Sequence, residues 1–583
     1  MADILEIYVI IVKKGVYDMD KIIPVPIGIE FYKTMISEGY YYIDKTLLIR
    51  DLLEYKNTIT LFTRPRRFGK TLAQSMIKTF FEKEILYDGT IADNSIYFQG
   101  KKIMEAGEEY LKHMGQYPVI FLSLKSAKQP TYEMAYLSLI DEIRKEYTRH
   151  RYLLDNENII REEKELYNSI LRQKADTASF AKSIAFLSEC LAKYHNQKVI
   201  ILIDEYDVPL ENAYFNGFYD EMVSFIRSLF ESALKTNESL KFAVITGCLR
   251  ISKESIFTGL NNLNVVSVLN EDYAEYFGFT QQEVDTLFEF YGITQKREEA
   301  RRWYDGYLFG NTEVYNPWSI IYYVQDIIYK NTEFPKPYWS NTSSNSIVRE
   351  LINNSDDTTR QELEELIAGG TIKKPVHEDI TYADIYKSQN NLWNFLFFTG
   401  YLKTVEKDFI EQQIYLYMTI PNEEILYIYK NNIQDWFEQR INQQDLSCLI
   451  KALEDGDCEK ASDIITTQLL DTISFYDYKE DYYHGFITGL LIHNGKYLVK
   501  SNRESGLGRY DLTLYTQRIR KGRVIILEFK VAGNINGLEK GCEEALGQIE
   551  RLHYDNDIIK EGYTDILKYG LCFYKKECLV IQG

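Results

Sequence analysis

Short runs of apolar and β-branched residues bounded by polar ones fall at Ile59–Thr63, Val119–Leu124, Val199–Ile203 and Phe242–Thr246, with longer stretches of helical spacing between them. Strands that are apolar on both faces and alternate with helices predict a mainly parallel, helix-covered sheet. From about Thr280 to Arg302 the pattern is helical and amphipathic, and the polar stretch Phe334–Asn345, with its Pro and Asn residues, predicts a connector. A mostly helical region follows, in which Leu392–Tyr401 reads as a helix that stops at Gly400 and Ile414–Ile420 as a strand. The last segment changes rhythm again. A helix around 480–492, strands at Tyr497–Ser501, Tyr510–Tyr515 and Val524–Phe529, and a helix at Leu538–Leu552 predict a second α/β unit. No internal repeat is visible.

Composition narrows this picture in a few places. The 583 residues exceed what one hydrophobic core serves, so several domains are expected. With 45% hydrophobic and 26% charged residues, the chain is ordinary for a folded protein. A net charge of −19 excludes broad, indiscriminate nucleic-acid binding, which rests on clustered Lys and Arg. The acidity is uneven, however: residues 480–583 carry 15 Lys+Arg against 14 Asp+Glu, so a local nucleic-acid contact there stays open. No apolar run approaches a bilayer span, and the stretch Ile7–Val12 is preceded by Asp3 and Glu6 where a secretory signal needs basic residues. A soluble, cytoplasmic protein without membrane partners is expected. Seven cysteines without a C-x-x-C pair suggest neither a disulfide frame nor a zinc site.

Chemistry enters after the first strand. Arg64-Pro65-Arg66-Arg67-Phe68-Gly69-Lys70-Thr71 leads directly into a helix predicted over Leu72–Glu82, the strand, loop, helix order of a phosphate-binding loop. Backbone N–H groups over Arg67, Phe68 and Gly69 and the Lys70 ammonium can cradle the phosphates of ATP, and the Thr71 hydroxyl can ligate Mg²⁺. The first Gly of the usual motif is replaced by Arg64, so the loop is expected to turn without that residue's freedom at positive φ. The apolar run Val199–Ile203 ends in Asp204-Glu205, which fits a second motif: Asp204 on Mg²⁺, Glu205 as the general base for water. A strand end capped by two solvated acids is the plainer alternative. Thr246, at the end of a later strand, is a candidate sensor of the terminal phosphate, and Arg250 a candidate charge-stabilising arginine.

Pro26-Ile27-Gly28, Tyr42-Ile43-Asp44-Lys45-Thr46, the loop itself, I-D-E-Y-D at 203–207, Ser255–Leu263 and Trp303-Tyr304-Asp305-Gly306-Tyr307 resemble the AAA-ATPase-like family over about residues 22–310. That family's loop also begins R-P-R-R, and its members resemble P-loop ATPases with an additional catalytic glutamate, which implies that role for Glu205. Similarity continuing at Tyr315–Trp318 and Tyr338–Thr342 implies a helical lid, with a winged-helix-like element around 385–425.

Near the C-terminus, Arg509-Tyr510-Asp511 and Glu528-Phe529-Lys530 lie on two predicted strands joined by a basic turn with Arg518, Arg520, Lys521 and Arg523. Glu528 and Lys530 share a strand face by the period of two, and Asp511 can meet them from the neighbouring strand. Hard carboxylates suit Mg²⁺, which can activate water against a phosphodiester, with Lys530 orienting that water. Surface strand charges are again the plainer reading. With His484-Gly485-Phe486, Ser501–Gly506, Ala545–Ile549 and Tyr569-Gly570, the segment from about 475 to the end resembles the PD-(D/E)XK nuclease superfamily. The resemblance implies a core of Asp511, Glu528 and Lys530, with Glu480 as an additional metal carboxylate and Gln548 in support. His484 reads as a packing residue on its helix.

The expected architecture is therefore α/β and multidomain: a P-loop parallel sheet over 22–280, a helical lid and linker over 281–475 and a restriction-endonuclease-like α/β domain over 476–583. The expected activity is ATP binding and hydrolysis joined to Mg²⁺-dependent cleavage of nucleic acid, DNA favoured over RNA. The alternative is a nucleotide-switched regulatory or defence protein whose nuclease fold binds nucleic acid without cutting it. Assembly into a homo-oligomer is left open.

Overall fold

The computed structural model describes residues 23–235, 237–250, 256–257, 260, 262–330, 334–339, 357–376, 378, 385, 388–431, 447–470, 480–492, 496–505, 508–516 and 522–583. The stretch 7–12, the connector from 340 onward, part of the 255–263 motif and the turn residues 518, 520 and 521 lie outside them. The chain divides into two compact units, Met1–Ser343 with Lys373–Ile425, and Ser344–Ile372 with Leu426–Gly583.

Five strands make the first unit's main sheet: β1 (Ile59–Thr63), β2 (Val119–Ser123), β3 (Val199–Asp204), β4 (Leu240–Gly247) and β5 (Leu263–Val266). Their spatial order is β2-β3-β4-β1-β5, and every pairing is parallel. β1 and β3 are buried along their whole length, as their predominantly apolar and β-branched sequences suit interior strands. Because all strands run the same way, their C-terminal ends share one edge, where ligands of such sheets bind. The interposed β4 brings Thr246 level with Phe62 of β1, next to the end of β3. Helix Lys70–Phe81 follows β1 and buries Ala73, Met76, Ile77 and Phe80, the three-four spacing of a helix lying on a sheet.

The amphipathic stretch after Thr280 is two helices, Gln281–Phe290 and Arg297–Tyr304. Thr280 and Glu283 form a reciprocal capping box at the start of the first. Both pack with helix Pro317–Lys330 in a core that includes Leu287, Phe288, Tyr304, Ile320 and Tyr323. Between them and that helix lies the hairpin β6 (Tyr307–Phe309) and β7 (Thr312–Val314). Further on, helix Gln389–Phe398 stops before Gly400, at φ 92°, and a sheet of order β8-β10-β9 combines β8 (Ile372–Pro375), β9 (Lys403–Ile410) and β10 (Gln413–Thr419).

One buried acid in this unit stands apart from the nucleotide motifs. Glu424 is fully buried, and its carboxyl accepts from Ser319 Oγ and Trp339 N, each at 2.8 Å. Burial pushes its pKa from the ordinary 4.5 up to about 8, although those hydrogen bonds pull the other way.

The second unit holds a mixed sheet in simple order: β11 (Tyr497–Ser505), β12 (Gly508–Thr516), β13 (Val524–Val531), β14 (Ile566–Tyr574) and β15 (Glu577–Gln582). All neighbours are antiparallel except β13 and β14, whose parallel pairing needs the crossover helix Leu538–Arg551. Helices Ser447–Asp455, Cys458–Leu470 and Glu480–Ile492 contribute Leu453, Ile465 and Ile487 to the core beside Leu527 and Leu571. The crossover helix approaches β14 so closely that a Cβ on Gly570 would stand 2.3 Å from the Cys542 carbonyl oxygen. No helix among the described residues is long and apolar enough to cross a membrane.

Two outcomes follow from this packing. Gly570→Ala forces backbone apart and lowers the unfolding free energy by about 1–3 kcal/mol, read as a lower urea midpoint; an unchanged midpoint contradicts the close approach. For Glu424, the folded carboxyl keeps its proton up to about pH 8 while the unfolded one loses it near 4.5. Its stabilisation is thus full below pH 4.5 and is lost as the pH rises to about 8. Glu424→Gln should flatten that part of the stability profile measured by thermal melts; a parallel profile for both proteins refutes the assignment.

Candidate active sites

The loop after β1 does not turn where glycine is missing. Arg64 N donates to Gly247 O at 3.1 Å, so the chain is still paired to β4 at that residue. The reversal comes at Arg67, φ 71°, and Gly69, φ 82°, so the loop turns without a glycine at position 64. Arg64 is instead buried under the loop: Nη1 donates to Thr63 O at 3.0 Å and Val266 O at 2.9 Å, and the guanidinium lies 4.9 Å from the Phe309 ring centroid and 5.4 Å from that of Phe277. Desolvation alone lowers its pKa to about 9. Phe68 is also buried, with ring centroids 5.0 Å from Tyr307 and 5.2 Å from Phe309. Its side chain is committed to the core, so only its backbone N–H is left for a ligand. Arg67 stacks on Trp318 at 4.0 Å.

Beyond the turn, Lys70 is 6% exposed, and its ammonium donates to Arg64 O and Pro65 O, each at 2.9 Å. Thr71 Oγ1 donates to Asp204 Oδ2 at 2.8 Å, while Thr246 Oγ1 donates to Asp204 Oδ1 at 2.5 Å. Three of the residues singled out in the sequence thus meet in one hydrogen-bonded cluster at the strand ends. Burial raises the Asp204 pKa, opposed by both threonines and Lys70. Glu205 follows with φ 54°, a costly region for a side chain with a Cβ, and burial and the Asp204 charge raise its pKa.

Several supports here had no separate signal in the sequence. Gln74 Nε2 donates to Ile203 O at 3.3 Å and Val244 O at 3.0 Å, pinning the helix to β3 and β4 together. Its place one turn after Lys70 was the available hint. Asp207 accepts from Cys248 N at 2.7 Å and Leu249 N at 3.1 Å, fastening the exit of β4 to the segment after Glu205. Arg66 is hydrogen-bonded to Glu211, and Arg250 pairs with Glu378 at 3.2 Å.

In the second unit, β12 and β13 pair Leu512 with Leu527, and one further step sets Asp511 opposite Glu528. Asp511 Oδ2 accepts from Phe529 N at 2.8 Å, and Asp511 N donates to Glu528 Oε2 at 3.3 Å. Glu528 is buried, accepts from Gln548 Nε2, and lies 3.9 Å from Lys530 Nζ. Lys530 Nζ also donates to Phe529 O at 2.9 Å. Asp511, Glu528, Lys530 and Gln548 are therefore together. Glu480 opens helix Glu480–Ile492, but its side chain lies outside the described residues. His484, one turn later, donates from Nε2 to Asp511 O at 2.8 Å, so it positions the β12 backbone at the site. Tyr554, a buried residue, receives a 3.1 Å hydrogen bond from Gln548 Nε2 on its hydroxyl. Among the described residues no three His, Cys, Asp or Glu side chains gather into a metal cage. Two carboxylates are the protein share that Mg²⁺ commonly takes, the rest being water and phosphate oxygens, so Asp511 and Glu528 fit that ion.

Comparison with known proteins agrees with both halves. Residues 26–257 match the family model described as a predicted AAA-ATPase, and residues 478–583 that of the PD-(D/E)XK nuclease superfamily. The chain thus carries an ATPase-like module and a nuclease-superfamily module. It is also 26% identical over 527 residues, 87% of this chain and 89% of the relative, to an Azotobacter chroococcum mcd 1 protein called "Uncharacterized protein in vnfD 5'region".

Proposed function

We propose that the protein hydrolyses ATP in its first unit and cleaves nucleic-acid phosphodiesters, those of DNA foremost, in its second. The observation that carries this reading is that each motif's functional side chains are brought together: Lys70 and Thr71 at the start of a helix with Asp204 and Thr246 at strand ends in one site, and Asp511, Glu528 and Lys530 on adjacent strands with Gln548 from the crossover helix in the other.

In the first site the N–H groups from Arg67 to Gly69 and the Lys70 ammonium bind the phosphates. Thr71 and Asp204 would hold Mg²⁺, which supplies charge neutralisation on the phosphate oxygens. Glu205, with a pKa raised towards the working range of a base, takes the proton of the attacking water as that water's oxygen bonds phosphorus and ADP leaves with the bridging electron pair. Thr246, fixed to Asp204, marks the position of the terminal phosphate. In the second site Asp511 and Glu528 would hold Mg²⁺, which supplies a more acidic water and stabilises negative charge on the phosphate. Lys530 orients the water, Gln548 keeps the Glu528 carboxylate in place, and Glu480 adds a further carboxylate.

Lys70→Ala should abolish or severely weaken ATP binding, whereas Glu205→Gln should keep binding and lose turnover by about 10²–10⁴-fold. Isothermal titration with ATP and phosphate-release assays check both; normal turnover in the two variants refutes the site. Asp511→Ala, Glu528→Ala and Lys530→Ala should each eliminate Mg²⁺- or Mn²⁺-dependent cleavage of labelled DNA or RNA and leave ATP turnover intact, with losses that do not add in double variants. Nucleic-acid binding by the wild type without metal-dependent cleavage of either polymer would overturn cutting and leave recognition.

A further inference from the structure

The phosphate-binding loop carries three arginines, and the fold gives each a different place. Arg64 is buried beneath the sheet's end between Phe277 and Phe309. Arg67 lies over Trp318. Arg66 is hydrogen-bonded and ion-paired to Glu211 on helix Val208–Asn216, the element that begins just after Asp204 and Glu205. Its charge acts there on the carboxyls of Glu205 and Asp207 and on the Cys248 thiol at the exit of β4. The guanidinium is thus held by a residue six positions after the proposed base, on the helix that follows β3. Arg250, the other arginine near this edge, pairs with Glu378.

We propose that Arg66 is the arginine that meets the terminal phosphate of ATP, and that Glu211 holds it aside until a triphosphate is bound. The proposal rests on the ATP-hydrolysing reading of this site. The Arg66 side chain is 31% exposed and that of Glu211 15%, so the arginine is the partner more open to an incoming ligand. A terminal phosphate offers more negative charge than one carboxylate and accepts the planar fork through two oxygens. ADP lacks that group, so Arg66 stays with Glu211 in the diphosphate state. Charge spreading onto the equatorial oxygens as the bond to ADP breaks strengthens the contact in the transition state, which is where such an arginine accelerates.

The test measures ATP and ADP affinity by titration and ATP turnover at saturation, in the full chain, for the wild type, Arg66→Ala, Arg66→Lys and Glu211→Gln. Arg66→Ala should lower turnover by about 10³-fold, the scale of an arginine at the transferred phosphate, and weaken ATP but not ADP. Arg66→Lys should recover part of the ATP preference. Glu211→Gln should tighten ATP while leaving ADP unchanged, because it removes the competing charge. Equal weakening of both nucleotides by Arg66→Ala, or unchanged turnover, overturns the proposal, as does an unaltered ATP-to-ADP ratio in Glu211→Gln. A wild type that binds neither nucleotide instead overturns the ATP reading beneath it.

Discussion

The first unit depends on one buried carboxylate. Asp204 ends a strand with no polar residue before it, and a charge drawn into such surroundings is tolerated only with hydrogen-bond partners on its oxygens. Those partners are Thr71, on the helix after the loop, and Thr246, on the strand between. Satisfying the acid therefore fixes three elements against one another. The Gln74 amide and the Asp207 carboxylate extend the same lock on either side. Glu205 is left just outside it, in a backbone conformation that only a firmly held neighbourhood sustains.

The second unit reaches a similar end by different geometry. Its acids come from two antiparallel neighbours, so a single register aligns Asp511 with Glu528, and backbone N–H groups of each strand bond the other's carboxylate. The crossover helix delivers Gln548 from the side, and His484 secures the backbone behind Asp511. Where the first site is set by side chains at parallel strand ends, the second is set largely by main chain.

Short apolar and β-branched runs made four of the five parallel strands and the last three-strand pattern legible from sequence, while β5, only four residues long, was not. Asp204 was legible because it ends such a run, Lys70 through its G-K-T loop, and Asp511, Glu528 and Lys530 through the spacing of their motif. Arg64 was not, since a motif rule treats the missing glycine as a turn problem, whereas the chain there is still hydrogen-bonded to β4. Phe68 looked like part of the phosphate cradle, yet its ring has a larger stake in Tyr307 and Phe309, some 240 residues away. Long-range partners also hid Glu424, whose Ser319 and Trp339 contacts no local pattern announces. β9 escaped because its residues are mostly exposed and show no clean alternation.

Strand order has a cost during synthesis. β2 borders only β3, and β1 lies between β4 and β5, so no strand of the main sheet can pair until residues 199–204 exist. β1 must wait for residues 240–247, made roughly ten to forty seconds later at ordinary elongation rates. Throughout that interval the nascent chain carries Ile59–Thr63 as an apolar segment with both edges open, the kind of segment that recruits chaperones or other nascent chains. The arrangement that brings Thr246 beside Asp204 thus leaves β1 without a sheet partner until β4 is made.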